Sequence, residues 1–202
     1  GSPLSVDVKT AGDGSVQVNA AGELGIAALR RQFPQPVFDH LSGSARWTGQ
    51  VRVRKKSADV KVTSNLVGLS SSLPEPFNKT ATEAMAFSFE RKPPPEPPQR
   101  GIAAKGGTPR AAAPAPTQDM FDLSLGRALR LQLVRRHDVS PPAITRGLVA
   151  VGDVGASLPE RNLLVTANLP RINADFWRSL LPEQRNGNGD APALPAIQFD
   201  LR

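Results

Sequence analysis

Residues 45 to 63 read ARWTGQVRVRKKSADVKVT, and the alternation of apolar and polar side chains in this stretch predicts a β-hairpin. Lys55-Lys56-Ser57 supplies the turn. Arginines and other polar residues occupy the face that meets water, and Asp59 can pair across the strands with them. The opposite face carries only apolar side chains and glycine: Ala45, Trp47, Val51, Val53, Val60 and Val62.

The same alternation continues on both sides of this hairpin. A hairpin at 4–18 turns at Gly12-Asp13-Gly14, and further strands are predicted at 85–89, 119–134, 143–151 and 163–169. A short helix fits 23–32, before Pro34 and Pro36, and a second follows Asn173 as its N-cap. We therefore predict a mainly β (α+β) fold, an antiparallel curved sheet of hairpins and meanders with two short helices, as part of a larger groove-like β structure.

Clusters of proline and glycine divide the chain. We expect 1–3 to be a cloning remnant, 4–92 to hold β-hairpins with one short helix, and 93–118 to form a flexible insert rich in Pro, Ala and Gly. A β-meander with a C-terminal short helix follows at 119–181, then a linker at 182–193. Residues 194–202 begin a next strand that is cut off, so the chain reads as a piece of a larger protein.

The basic character of the chain is spread thinly. The net charge is +7, with 12 basic and 8 acidic side chains in residues 1–92 but 10 and 9 in residues 119–202. A nucleic-acid platform would interleave aromatic rings with arginines, whereas Trp47 falls on the face opposite Arg46 and Arg52. We expect a solvated, mildly basic surface and no nucleic-acid partner.

The residues that carry chemistry are scarce. Cysteine is absent, and the two histidines, His40 and His137, lie in or beside predicted turns, where we expect a solvated surface role. Gly106-Gly107 lacks the Lys-Ser/Thr step of a phosphate loop. We predict no metal, no cofactor and no catalytic residue, hence no enzyme. Trp47 and Trp177 are expected to anchor a core.

Five short stretches together resemble a known family. They are LSGSARW at 41–47, SNLVGL at 64–69, LPEPFNK at 73–79, LPERNL at 158–163 and LPRINADFW at 169–177. They are similar to the YhdP family of large AsmA-like envelope proteins of Gram-negative bacteria. The resemblance implies a periplasmic β-sheet body with a hydrophobic groove, in a parent anchored to the inner membrane and concerned with phospholipid transport and outer-membrane integrity. Membrane contact would then belong to the full-length parent.

An open apolar sheet face of this size is typical of a binding surface. We expect phospholipid acyl chains as the partner, on a face lined by Val51, Val53, Val60, Val62, Phe87, Phe89, Leu129, Leu131, Leu133, Val149, Val151 and Val165. Two other functions stay open. An envelope scaffold or protein-interaction module would show long unpaired strand edges. A carbohydrate-binding or hydrolytic β domain would show a polar cleft with convergent carboxylates. The two short helices could also close over the apolar face and make an ordinary core.

Overall fold

A computed structural model describes residues 4–54, 57–92, 118–153, 155–169, 173–180 and 195–201. The expected cloning remnant, most of the 93–118 insert and the 182–193 linker lie outside these described residues. So do Lys55 and Lys56, which belong to the predicted turn of the 45–63 hairpin.

Strands make up 54% of the residues and form one open, mixed sheet of 11 strands, which confirms the mainly β prediction. The alternating sequence accounts for this, because a strand with one apolar and one polar side is stable once its apolar side is at least partly covered. The strands are β1 Ser5–Thr10, β2 Val16–Gly25, β3 Leu41–Arg54, β4 Ser57–Ser64, β5 Leu69–Ser71, β6 Phe87–Lys92, β7 Gln118–Leu125, β8 Leu129–Arg136, β9 Ala143–Val151, β10 Asn162–Ala167 and β11 Ile197–Leu201.

Neighbouring strands in the sheet follow the chain, in the order β1-β2-β3-β4-β6-β7-β8-β9-β10-β11, with β5 paired to the first residues of β3. The pairing of β6 with β7 joins the segments on either side of the 93–118 insert, from Phe87 opposite Leu125 to Lys92 opposite Met120. The insert therefore interrupts the sequence and not the sheet.

The last two pairings differ from the antiparallel sheet that we predicted. β10 runs parallel to β9, and β11 runs parallel to β10. A parallel neighbour requires the chain to return across a face of the sheet. On the return between β9 and β10, Arg146 of β9 donates from Nη1 to the carbonyl of Pro159 at 3.3 Å.

Two short α-helices are present, as predicted, together with a 3₁₀ helix. α1 spans Ile26–Gln32 and is followed by the 3₁₀ helix Pro36–His40, and α2 spans Ala174–Leu180. α1 begins three residues later than predicted, because β2 stays paired with β3 up to Gly25 opposite Ser44. Asn173 caps α2 as expected, with its side-chain oxygen accepting from the backbone N–H of Phe176 at 3.0 Å.

The most deeply buried side chains lie on the β8–β10 part of the sheet. Leu148, Ala150, Gln132 and Thr166 are buried there, and strand pairing puts all four on the face that also carries Arg146. Gln132 donates to Asp122 across the strands at 2.6 Å, which satisfies a buried amide. The core of this region thus lies on the face opposite the predicted ligand-binding residues.

Candidate functional site

The register of the sheet places all twelve predicted lipid-facing residues on one face, called the apolar face below. Directly paired residues of neighbouring strands point to the same side. Val51 pairs with Val60, and Val62 pairs with Phe89. The remaining pairs continue across the sheet: Phe87 with Leu125, Leu125 with Leu129, Leu129 with Val151, Leu131 with Val149, and Val149 with Val165. Whether these side chains contact lipid stays a prediction.

The apolar face extends beyond the twelve predicted residues to both edges of the described sheet. Val8 of β1 pairs with Val18, and Phe199 of β11 pairs with Val165. Both edge residues are well exposed, Val8 at 59% and Phe199 at 67%. Of the twelve predicted residues Val53 is exposed and the other eleven are half-buried. A sealed core would bury most of them.

One end of the apolar face is covered, and a cavity of about 820 Å³ lies beneath the cover. The cover is formed by α1, the 3₁₀ helix, the segment 65–86 and α2, which contribute Leu29, Phe38, Phe77 and Trp177 to the lining. Three of the predicted residues, Val62, Phe87 and Leu129, form part of its floor. The other nine lie on the part of the face outside the cavity. The structure thus combines a covered end with a partly exposed sheet face.

Aromatic contacts attach α2 to this cover. The rings of Phe77 and Trp177 meet edge-on with centroids 5.4 Å apart, and those of His40 and Phe176 meet with centroids 4.9 Å apart. Edge-to-face pairs at this spacing are favourable. The second helix, more than a hundred residues from the first along the chain, therefore closes the same cavity as α1.

Trp47 forms part of the cavity wall and lies against two glycines. A Cβ atom added to Gly49 would sit 2.9 Å from Cζ3 of the indole, and one added to Gly22 would sit 3.4 Å from its Cζ2 atom. Gly22 is paired with Trp47 and Gly49 follows it on the same face. The absence of side chains at these two positions lets the indole lie close to the sheet. The core-anchoring role of Trp47 stays a prediction.

Lys79 is a buried cation in the cavity wall that the sequence did not reveal. It is 6% exposed, and its Nζ donates to the carbonyls of Leu69 at 2.7 Å and Thr80 at 2.9 Å. Burial lowers the pKa of the Lys79 ammonium, against an opposing effect of Glu83. The two bonds tie β5 to the following turn, so Lys79 supports the segment that covers the cavity.

The other end of the apolar face carries charges, centred on Asp119. Oδ2 of this carboxylate accepts from Nε of Arg91 at 3.0 Å and from Nη2 of Arg135 at 3.1 Å, and it lies 2.6 Å from Nε2 of His137. Asp119 is 3% exposed, whereas the two arginine side chains are each 36% exposed. Burial raises the pKa of Asp119, but the hydrogen bonds from Arg91, His137 and Arg135 outweigh burial and lower the pKa.

This group, called the Asp119 cluster below, corrects the solvated role that we predicted for His137. The sequence could not reveal it, because its members come from β6, β7, β8 and the turn after β8. Arg91 and Asp119 also flank the insert. A β-bulge between Val134 and Arg135 changes the register at this point, and Arg135 lies 4.8 Å from the ring centre of Phe121.

The opposite face of the sheet is polar over β1–β7, as predicted. Lys61 and Lys92 each lie 2.7 Å from the carboxylate of Glu90. Hydrogen bonds from Lys61 and Lys92 lower the pKa of Glu90 to about 2. Among the described residues, no group of three or more His, Asp or Glu side chains could hold a metal ion.

A family model for YhdP protein matches residues 1–202, the whole chain. The chain belongs to the YhdP family. Family membership indicates an AsmA-like envelope protein. Neither a curated protein nor a solved structure matches the chain. In the part of this YhdP-family chain that the structure describes, no helix is long and apolar enough to cross a membrane.

Proposed function

We propose that this chain is a non-catalytic periplasmic module of an inner-membrane-anchored AsmA-like protein. Its apolar face holds phospholipid acyl chains and contributes to a hydrophobic β groove for phospholipid transport and outer-membrane integrity. The observation that carries the proposal is the continuity of the apolar face, which runs across the described strands from Val8 to Phe199 and leads into the cavity.

Acyl chains suit this surface because they require apolar contact alone. Each CH₂ group removed from water contributes about 0.8 kcal/mol, without any directional bond. The cavity volume of about 820 Å³ falls within the range of roughly 300–1,000 Å³ that is usual for small-molecule sites. The half-buried side chains outside the cavity would lose their remaining exposed area when a chain lies on them.

Photocrosslinking tests the proposal with neighbouring positions as matched controls. A photoreactive residue replaces Val62 or Val53 on the apolar face, and Lys61 or Arg52 on the polar face of the same strands. In cells that express the protein, lipid adducts are expected from positions 62 and 53 and not from 61 and 52. Equal lipid labelling of both faces, or none from 62 and 53 beside a labelled lipid-binding control protein, would contradict the proposal.

A scaffold function is a second candidate that the sheet edges favour. β1 is exposed along its whole length, and β11 presents Phe199 and Ile197 at 67% and 47% exposure. Charged residues on an edge strand oppose pairing with another chain. β1 carries two, Asp7 and Lys9, and β11 carries one, Asp200, so β11 is the better edge for a partner. Protein adducts from position 199 without lipid adducts from position 62 would favour this function.

A further inference from the structure

The Asp119 cluster is a charged group on the apolar face, beside the apolar side chains predicted to hold acyl chains. Arg91 shares a row of the face with Val60 and Phe121, and Asp119 is paired with Arg135 one row beyond. The cluster is therefore continuous with the apolar side chains. It lies at the end of the strands away from the cavity, which is lined by Phe87 and Leu123.

The charges of the cluster do not cancel. Two guanidinium groups share one carboxylate, so one positive charge remains even when His137 is neutral. Nε of Arg135 is buried and has no hydrogen-bond partner among the described residues. The side chains of Arg91 and Arg135 are each 36% exposed to solvent. Guanidinium groups suit phosphate because they present several N–H donors in a plane.

The distance between the cluster and the cavity fits an acyl chain. Arg91 lies four positions from Phe87 on β6, and Asp119 lies four positions from Leu123 on β7, which is roughly 13 Å at about 3.3 Å per residue. One acyl layer of a bilayer spans about 15 Å, half of the ~30 Å hydrocarbon core. A phospholipid aligned with the strands would therefore reach the cavity with its chains while its phosphate met the arginines.

We propose that Arg91 and Arg135 form a phosphate-binding subsite that orients a phospholipid with its headgroup at the Asp119 cluster and its chains toward the cavity. The proposal rests on the proposed function of the apolar face. Asp119 holds the two guanidinium groups together, and Phe121 supports that of Arg135 from the apolar side. The outward N–H groups of both arginines bind the phosphate.

The test compares two lipids with the same acyl chains and the same fluorophore on one chain, phosphatidylglycerol and diacylglycerol. The wild-type chain is expected to bind phosphatidylglycerol about tenfold more tightly, the effect of one charge-assisted hydrogen bond at a partly exposed site. Arg91→Gln and Arg135→Gln are each expected to remove most of this preference and to leave diacylglycerol binding unchanged. Arg130→Gln, an exposed position on the opposite face of the strand that carries Arg135, is the matched control and should keep the preference.

The binding of diacylglycerol distinguishes failure of the proposed acyl-chain function from failure of the phosphate subsite. If neither lipid binds the wild-type chain, the proposed function fails. If both bind equally, or if Arg91→Gln and Arg135→Gln weaken both lipids alike, the acyl-chain site stands and the phosphate subsite is overturned. A salt titration of the wild-type chain needs no variant. The preference for phosphatidylglycerol should shrink as salt screens the arginines, and a salt-independent preference would also overturn the subsite.

Discussion

Trp177 of α2 meets Phe77 of the segment 65–86 edge-on, with ring centroids 5.4 Å apart, and this contact links two parts of the cavity cover that are distant in sequence. We expect the pair to stabilise the fold by about 0.5–1.5 kcal/mol beyond the area that it buries. A double-mutant cycle of Phe77→Leu and Trp177→Leu, followed by urea unfolding, measures this coupling energy. Trp177→Leu combined with Phe121→Leu, at the charged end of the sheet, should be additive within about 0.5 kcal/mol.

Filling the cavity should block acyl chains without unfolding the protein. Ala45 is 6% exposed and lines the cavity, so Ala45→Leu places three further carbon atoms in space that a ligand would use. We expect binding of a fluorescent long-chain lipid to weaken several-fold, and the free energy of unfolding to stay level or to rise by about 0.5–2 kcal/mol. Ala21→Leu adds the same side chain to the polar face and should leave lipid binding unchanged. Equal loss of lipid binding in both variants would argue against the cavity as the site.

The alternation of side chains was sufficient to predict which residues share a face, because the side-chain period of a strand is two residues whatever its partner. Val53, Leu131 and Val165 therefore fell on one side as expected, although they belong to three separate strands. The start of α1 was predicted too early, since Leu24 fits a helix and a strand equally well. Its pairing with Ala45 is a tertiary effect that local sequence does not contain.

The covered end of the apolar face and the Asp119 cluster could not be predicted from the sequence, because both depend on how distant segments pack together. The segment that contains Phe77 and Lys79 has no simple period, so its packing over the sheet could not be inferred from a pattern. Asp119 and Arg91 are brought together only when β6 pairs with β7 across the 93–118 insert. The parallel direction of β10 likewise depends on the path of the chain between strands and not on the strand itself.

Glu90 should make a pH-dependent contribution to stability. Lys61 and Lys92 lower its pKa in the folded state from 4.5 to about 2. The unfolded chain then binds the proton first as the pH falls, so the contribution is complete above pH 4.5 and is lost between pH 4.5 and about 2. Because both lysines are largely exposed, we expect about 1 kcal/mol. The stability difference between wild type and Glu90→Gln, measured by urea unfolding, should shrink over this interval, and a constant difference would refute the assignment.

The Asp119 cluster should contribute more to stability than an exposed ion pair of the same chemistry. Asp119→Asn keeps the shape of the side chain but removes the charge that Arg91 and Arg135 share in a buried position. We expect a loss of about 2 kcal/mol, below the usual cost of breaking a buried pair because the arginines stay partly solvated. Asp138→Asn removes the partner of Arg136, 2.5 Å away in an exposed pair, and should have little effect.

Urea unfolding at neutral pH, where both carboxylates of the wild type are ionised, measures this difference. It compares the loss of stability in Asp119→Asn with that in Asp138→Asn. The acid dependence provides a second measurement, because the lowered pKa of Asp119 means that its contribution is lost as the pH falls below the ordinary aspartate value of 3.8. Asp119→Asn should therefore approach the wild-type stability in acid. If the two variants lost equal stability at neutral pH, the cluster would contribute no more than a surface ion pair, which would contradict the role of Asp119 in holding Arg91 and Arg135 together.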